Sequence, residues 1–212
     1  PHGMVLNGTI QTVELTYAGQ EVAITETAGN LYNERQKVKI SLSKVLEQNE
    51  LFGIGMNGEL KNITFGLYAK TDLVADDGTV IPAGGLIEIV TFDDNGMATV
   101  SADLPLGSYY LQERSTDEHY ILDDTHYEFE FSYGSQETQV VEISVNDGAP
   151  IKNDLKYGMI SSRKVDEDGH VIAGAIFGLF RNDENEYTAG NAYLTAESAQ
   201  DGTFKFEKVP FG

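Results

Sequence analysis

The chain has 212 residues, enough for one large or two small domains, and its 34 acidic and 14 basic side chains give a net charge of −20. Such a surface repels a nucleic-acid backbone and an anionic membrane, and no apolar run is long enough to span a bilayer, so neither nucleic-acid binding nor membrane insertion is expected. Cysteine and tryptophan are absent while tyrosine, phenylalanine and glycine are frequent, a composition that reads as all-β without disulfide staples.

The first residues, PHGMV, show no signal peptide and do not read as a native start. Thr9 to Tyr17 (TIQTVELTY) alternates and predicts a strand, AGQ at 18–20 a turn, and Glu21 to Thr25 a second short strand. AGN at 28–30 then turns the chain into Leu31, Tyr32 and Asn33. The next strand is Val38 to Val45 (VKISLSKV), in which Val38, Ile40 and Leu42 share one face. Lys44 has the same parity and therefore points inward, a costly position unless its charge is paired or removed. Residues 47–62 are polar and glycine-rich, and FGIGMN within them fits either a short helical turn or an irregular loop.

Ile63 to Lys70 reads as a strand, 76–85 as hairpin or loop, Leu86 to Thr91 as a strand, 93–96 as a tight turn and Met97 to Ser101 as its partner. LPLG at 104–107 is a turn before the strongly alternating Ser108 to Glu113. Tyr127 to Tyr133, Gln139 to Val145 and Ile151 to Asn153 complete the set, and no stretch from 63 to 157 has a helical period.

The chain also repeats itself. VELTYAGQ at 13–20 echoes FEFSYGSQ at 129–136, and Leu31-Tyr32-Asn33 echoes Ile151-Lys152-Asn153. FGLY at 65–68 returns as FGLF at 177–180, LPLG at 104–107 as VPFG at 209–212, and PHGMVLN at 1–7 matches DEHYILD at 117–123. Asn33 precedes Lys44 by 11 residues, and Asn153 precedes Lys164 by 11. These matches predict three segments: residues 1–34 as the closing strands of a preceding unit, 35–157 as a complete unit, and 158–212 as the opening part of a following one. Neither flank has a counterpart of 108–116. That leaves three explanations open: a cut from a longer tandem array, missing residues, or a tail that completes the head of the next copy.

The repeat singles out three polar residues within strand-like runs: Lys44, Glu113 and Asn153. In a sandwich the first and last strands can be neighbours, and Glu113 can reach the same interior point. Low dielectric favours a neutral lysine and a protonated glutamic acid. The neutral amine can then attack the asparagine amide, expel ammonia and leave an isopeptide bond, with Glu113 moving the proton. On the residues alone, the same three also read as a snorkelling lysine, a surface glutamate and a turn asparagine.

The sequence resembles tandem Cna B-type (prealbumin-like, SpaA-like) domains of Gram-positive surface adhesins and pilins. The resemblance rests on Lys44 in SLSKV and Lys164 in RKVDEDG, ITFGLY at 63–68 and IAGAIFGLF at 172–180. It continues through DDNGMATVSADLPLGSYYLQE at 93–113, HYILDDTHYEFEF at 119–131 and IKND at 151–154. It implies immunoglobulin-like β-sandwich units in tandem, an extracellular, cell-wall-attached location, and a stalk or spacer role with neighbouring repeat units as partners. It also implies an intramolecular bond between Lys44 and Asn153 with Glu113 as the catalytic residue, a single-turnover self-modification rather than an enzyme activity. Lys164 and Asn33 are then orphan counterparts in the partial units, without a glutamate of their own. The alternative is an adhesin module that binds a host protein or glycan through the loops 47–62 and 76–85.

No cofactor is expected. The acidic turns at 76–78, 93–96 and 166–169 lack the ligand order of a calcium loop, and His2, His119, His126 and His170 lack a zinc spacing, so no metal is expected either. No hydrolase motif or LPxTG-like sorting signal is present in the sequence.

Overall fold

The computed structural model describes residues 2–21, 29–75 and 78–211. The chain forms two compact units. The first takes Pro1–Val45, Leu60–Thr116 and Leu122–Lys152; the second takes Leu46–Glu59, Asp117–Ile121 and Asn153–Gly212.

The first unit is built from β1 (Lys37–Leu46), β2 (Thr64–Ala69), β3 (Leu73–Val74), β4 (Val80–Ile81), β5 (Leu86–Thr91), β6 (Met97–Thr99), β7 (Gly107–Ser115), β8 (Tyr127–Phe131), β9 (Val140–Ser144) and β10 (Ile151–Asn153), with β1 and β10 each running on across the division. One sheet has the order β10-β1-β6, with β9 also pairing β1, in parallel from Lys37↔Val140 to Ser41↔Ser144. The other is antiparallel with the order β5-β2-β7-β8, and β3 and β4 form a separate hairpin.

Period-two alternation sets the inner faces. β1 turns Ile40, Leu42 and Lys44 inward, β2 turns Phe65, Leu67 and Ala69, and β7 turns Tyr109, Leu111 and Glu113. All nine are buried. Each large apolar side chain among them contributes roughly 1.5–3 kcal/mol by leaving water. Phe65 meets Phe92 edge-on at 5.5 Å, and Tyr109 stacks on Phe129 at 5.7 Å. The Tyr109 hydroxyl donates to the Pro105 carbonyl at 2.5 Å, fixing the turn before β7.

Gly96 holds β1 to β6. The Lys44 N–H donates to its carbonyl at 2.7 Å, and with φ of +73° a Cβ there would stand 2.2 Å from the Lys44 carbonyl oxygen. Among the described residues there is no α-helix. Two short 3-10 segments occur, Glu59–Asn62 and Val145–Gly148.

The second unit contains β11 (Tyr157–Arg163), β12 (Ile176–Leu179), β13 (Leu194–Glu197) and β14 (Thr203–Pro210), paired as β11-β14 and β12-β13. Its construction repeats that of β1 and β6. The Lys164 N–H donates to the Gly202 carbonyl at 2.8 Å, and Gly202 has φ of +78°. The stretch 52–57 is a set of turns and bends anchored by the isolated bridge Asn49↔Ile54.

One predicted strand is absent. Residues 9–17 carry no strand pairing, and Ile10, Val13, Leu15 and Tyr17 are exposed. Alternation makes a strand only where a sheet edge supplies hydrogen bonds and an apolar face covers its side chains; among the described residues nothing does so here. The predicted strand at 21–25 lies outside the described residues apart from Glu21. The one at 139–145 ends at Ser144, where Val145 opens a 3-10 turn through Asn146 and Asp147, both at positive φ.

Candidate functional site

Lys44 is carried inward by the alternation of β1 and Glu113 by that of β7. The two sheets therefore bring the side chains together: Lys44 Nζ lies 3.2 Å from Glu113 Oε1, with both side chains fully buried. Nζ also sits 5.4 Å from the centre of the Phe65 ring. The second carboxylate oxygen of Glu113 accepts the Asp123 backbone N–H at 2.7 Å. Asp123 in turn accepts the Tyr127 hydroxyl at 2.5 Å and the Thr125 N–H at 3.0 Å.

Burial pushes the Lys44 pKa below its ordinary 10.5, against the opposing pull of Glu113 and Asp123. The Asp123 carboxyl also sits below its ordinary value. Burial alone would raise it, but hydrogen bonds from Thr125 and Tyr127, with Lys44 nearby, outweigh that. The Tyr127 hydroxyl is pushed up by burial and by its bond to Asp123.

Asn153 ends β10, the strand next to β1 in its sheet, and is 1% exposed. Its carbonyl accepts the Glu47 N–H at 3.0 Å. Among the described residues, no buried side-chain nitrogen or oxygen lacks a hydrogen-bond partner.

The counterparts in the flanks differ. Lys164 is half-buried and Asn33 is exposed. The carboxylates of the acidic turns serve the turns themselves. Asp93 Oδ1 accepts the N–H groups of Asn95 and Met97, and Asp166 Oδ1 those of Asp168 and His170.

The loop that leaves β1 packs onto its own unit. Ile54 is buried with Tyr120 and Leu155, and Phe52 and Leu46 pack against that cluster. Phe52 meets Tyr193 edge-on at 5.0 Å, while Arg181 lies over the Phe52 ring at 5.7 Å and donates to the Leu51 carbonyl at 2.7 Å. Glu47 clamps the following chain, accepting the Leu155 N–H at 2.9 Å and the Tyr157 hydroxyl at 3.0 Å. The β3–β4 hairpin within 73–81 leaves Val74 and Val80 exposed.

Asp123, Tyr127 and Phe65 are the site residues that pattern reading misses. Asp123 sits in a polar loop where nothing local separates it from its neighbour Asp124; its ten-residue distance from Glu113 is a usable signal only once β7 and β8 are known to pair. Gln36 is missed in the same way. It is 3% exposed and is held by Gly134, Ser135 and Thr138 from a distant loop.

Two sheets packed around a buried Lys44–Glu113 pair make this an all-β structural sandwich. The chain belongs to the SpaA prealbumin-like fold domain family, whose model matches residues 54–149 and 158–212. That is a family of structural domains rather than enzymes. Among solved structures, the chain is similar to the Bacillus anthracis TIE protein at 19% identity and a TM-score of 0.53, covering 85% of this chain and 27% of that one. It is also similar to a streptococcal ancillary pilin (22% identity, TM-score 0.34, 86% and 54% covered) and to BcpA, the major pilin subunit of Bacillus cereus (14% identity, TM-score 0.29, 84% and 86% covered). The chain thus spans about a quarter and about half the length of the first two. No curated protein sequence matches it.

Proposed function

We propose that the chain is a stalk or spacer segment of a Gram-positive surface adhesin or pilus, on the outer face of the cell wall. Its sandwich is closed by a self-formed isopeptide bond between Lys44 and Asn153. The observation that carries this reading is the fully buried Lys44–Glu113 pair at 3.2 Å, with an equally buried asparagine on the strand next to β1. A charged pair without water is expensive to keep, and chemistry that discharges it is favoured.

The balance is simple. Neutral Lys44 Nζ attacks the Asn153 side-chain carbonyl carbon, which protonated Glu113 polarises by donating a hydrogen bond to the oxygen. A new C–N bond forms and the bond from that carbon to Nδ2 breaks. One lysine proton passes through Glu113 to the departing nitrogen, which leaves as ammonia. Fixed geometry supplies most of the rate, and the reaction occurs once per molecule. The product ties the first strand of the sandwich to the last, so load along the stalk runs through covalent bonds.

Intact mass under denaturing conditions tests the reading. One bond removes about 17 Da from the sequence mass, a covalent change that folding cannot imitate. An unchanged mass in folded protein refutes it. The ligand-binding alternative, through the loops 47–62 and 76–85, rests on the exposed Met56 and Val80 within them; saturable binding to an immobilised matrix protein or glycan, abolished by Met56→Asp and Val80→Asp, would favour it.

A further inference from the structure

The two carboxyl oxygens of Glu113 have different surroundings. Oε1 lies 3.2 Å from Lys44 Nζ, and Oε2 accepts the Asp123 backbone N–H at 2.7 Å. The side chain is fully buried, so neither oxygen meets water. In a protonated carboxyl group one oxygen carries the proton, and the carbonyl oxygen is the better acceptor. An N–H aimed at Oε2 makes that oxygen the acceptor. It leaves the acid proton on Oε1, the oxygen that faces the amine.

That N–H is itself held in place. Residues 121–126 between β7 and β8 have no regular secondary structure, so no ladder sets the direction of the Asp123 N–H. Its own side chain does. Oδ1 accepts the Thr125 N–H at 3.0 Å, and Oδ2 accepts the Tyr127 hydroxyl at 2.5 Å. Tyr127 opens β8 and lies opposite Leu111, two residues before Glu113 on β7. The clamp therefore closes on the strand that carries the glutamate. Beside it, Gln112 Nε2 donates to the Asp124 carbonyl at 3.3 Å, a second tie from β7 to the same loop. The Tyr127 ring also stands 6.4 Å from Phe65, the ring that faces Nζ.

We infer that Asp123 and Tyr127 are positioning residues for the Lys44 reaction: they aim a backbone N–H at Glu113 Oε2 and so keep the proton-carrying oxygen, Oε1, turned to the amine. The inference rests on the isopeptide reading above and adds no bond-making step to it. A role for Asp123 through its charge would have the opposite sign. Its carboxylate pulls the Lys44 pKa up, toward the protonated form that cannot attack. Charge alone would thus make Asp123 slow the reaction, and only its geometry can speed it.

The rate of ammonia loss tests it. The whole chain is made in a short cell-free pulse and quenched in denaturing acid at intervals, and its intact mass is read. Protease resistance, followed in parallel, times folding separately. Tyr127→Phe removes only the hydroxyl and should slow ammonia loss by about tenfold, with folding time unchanged. Asp123→Ala should slow it by about ten- to a hundredfold, the cost of a misplaced reacting group. Asp123→Ala/Tyr127→Phe should be no slower than Asp123→Ala, because the hydroxyl acts through the carboxylate. If Asp123→Ala never becomes protease-resistant, Tyr127→Phe carries the test by itself. Four results overturn the inference while leaving the bond in place: a natural rate in Tyr127→Phe, a faster rate in Asp123→Ala, effects that multiply in the double variant, or slowing that only follows slower folding. A folded natural chain that loses no ammonia is a different result, which refutes the isopeptide reading and this inference with it.

Discussion

Replacing Asn153 with alanine isolates the covalent tie, because it removes the acceptor while leaving the Lys44–Glu113 pair in place. The bond would close a loop of about 110 residues. On chain-entropy grounds a cross-link around a loop of that size stabilises by about 4.7 kcal/mol, since it removes open conformations from the unfolded state. Losing one buried side-chain hydrogen bond adds about 1 kcal/mol. The expected cost is therefore roughly 5–6 kcal/mol, a large share of the 5–15 kcal/mol typical of a whole domain. It corresponds to a fall of about 15–25 °C in the melting temperature. Calorimetry on the natural chain and on Asn153→Ala, each paired with its intact mass, measures both quantities. The natural chain should be lighter than its sequence mass by one ammonia, and the variant should match its own. If the bond is present in the natural chain and the variant still melts within about 5 °C of it, the loop-closure reasoning is wrong.

Three further outcomes follow from the same geometry. Glu113→Gln should fold without losing ammonia, because proton transfer to the leaving nitrogen has no carrier, and breaking the buried pair should cost a further 3–5 kcal/mol or so. The pH dependence has a definite sign in Asn153→Ala, where Lys44 stays a free amine. Its folded pKa lies below 10.5, so in the window between the folded value and 10.5 the unfolded chain holds a proton that the native chain has released. Stability contributed by Lys44 therefore rises with pH across that window, and below it the burial penalty is present in full. Denaturant titrations of Asn153→Ala and of Lys44→Met/Asn153→Ala from neutral to alkaline pH should diverge in this way, and parallel curves would refute it. Finally, Arg181→Ala removes a hydrogen bond to Leu51 and a contact over Phe52. It should speed chymotryptic cleavage at Leu51 or Phe52 by about tenfold, and unchanged cleavage would mean that the Ile54 cluster alone holds the loop.

Parity along short strands made much of this legible in advance. Counting from Leu42 places Lys44 in the interior, because a one-residue shift would turn every apolar neighbour outward as well, whereas Glu113 reaches the same point only once the chain is taken as a sandwich. Asn153 was reached differently, through the repeat of the 11-residue spacing to the next lysine. What pattern cannot supply is the partner of a strand. The parallel pairing of β9 with the first half of β1 is a long-range event with no local signal. The support that Asp123 and Tyr127 give to Glu113 likewise depends on how the chain returns from β7 to β8. The stretch 9–17 shows the converse: its alternation is as good as that of β7, but alternation describes what a strand offers, not whether anything receives it. The loop 47–59 was unreadable for a related reason. Its two anchors, Phe52 and Ile54, look like isolated apolar residues until Tyr120, Leu155 and Tyr193 arrive from far along the chain.

The remaining question is why a sandwich should keep a lysine and a glutamate where Met and Leu would pack. Buried ion pairs are poor stabilisers. Replacing one with apolar residues of similar size is often neutral or stabilising by about 1–4 kcal/mol, because the desolvation cost disappears with the charges. If the pair were only structural, Lys44→Met/Glu113→Leu should therefore hold or raise the melting temperature. If the pair is the precursor of a bond, the same replacement forfeits the loop-closure term of about 4.7 kcal/mol and gains back only part of it. The expected result is a net loss of roughly 1–4 kcal/mol, read by denaturant unfolding, with no ammonia lost. The sign of one free-energy difference thus separates the two explanations. A more stable double variant would show that the charges are a cost the fold merely tolerates. A less stable one would show that the cost is transient, present only until the amine and the amide have reacted.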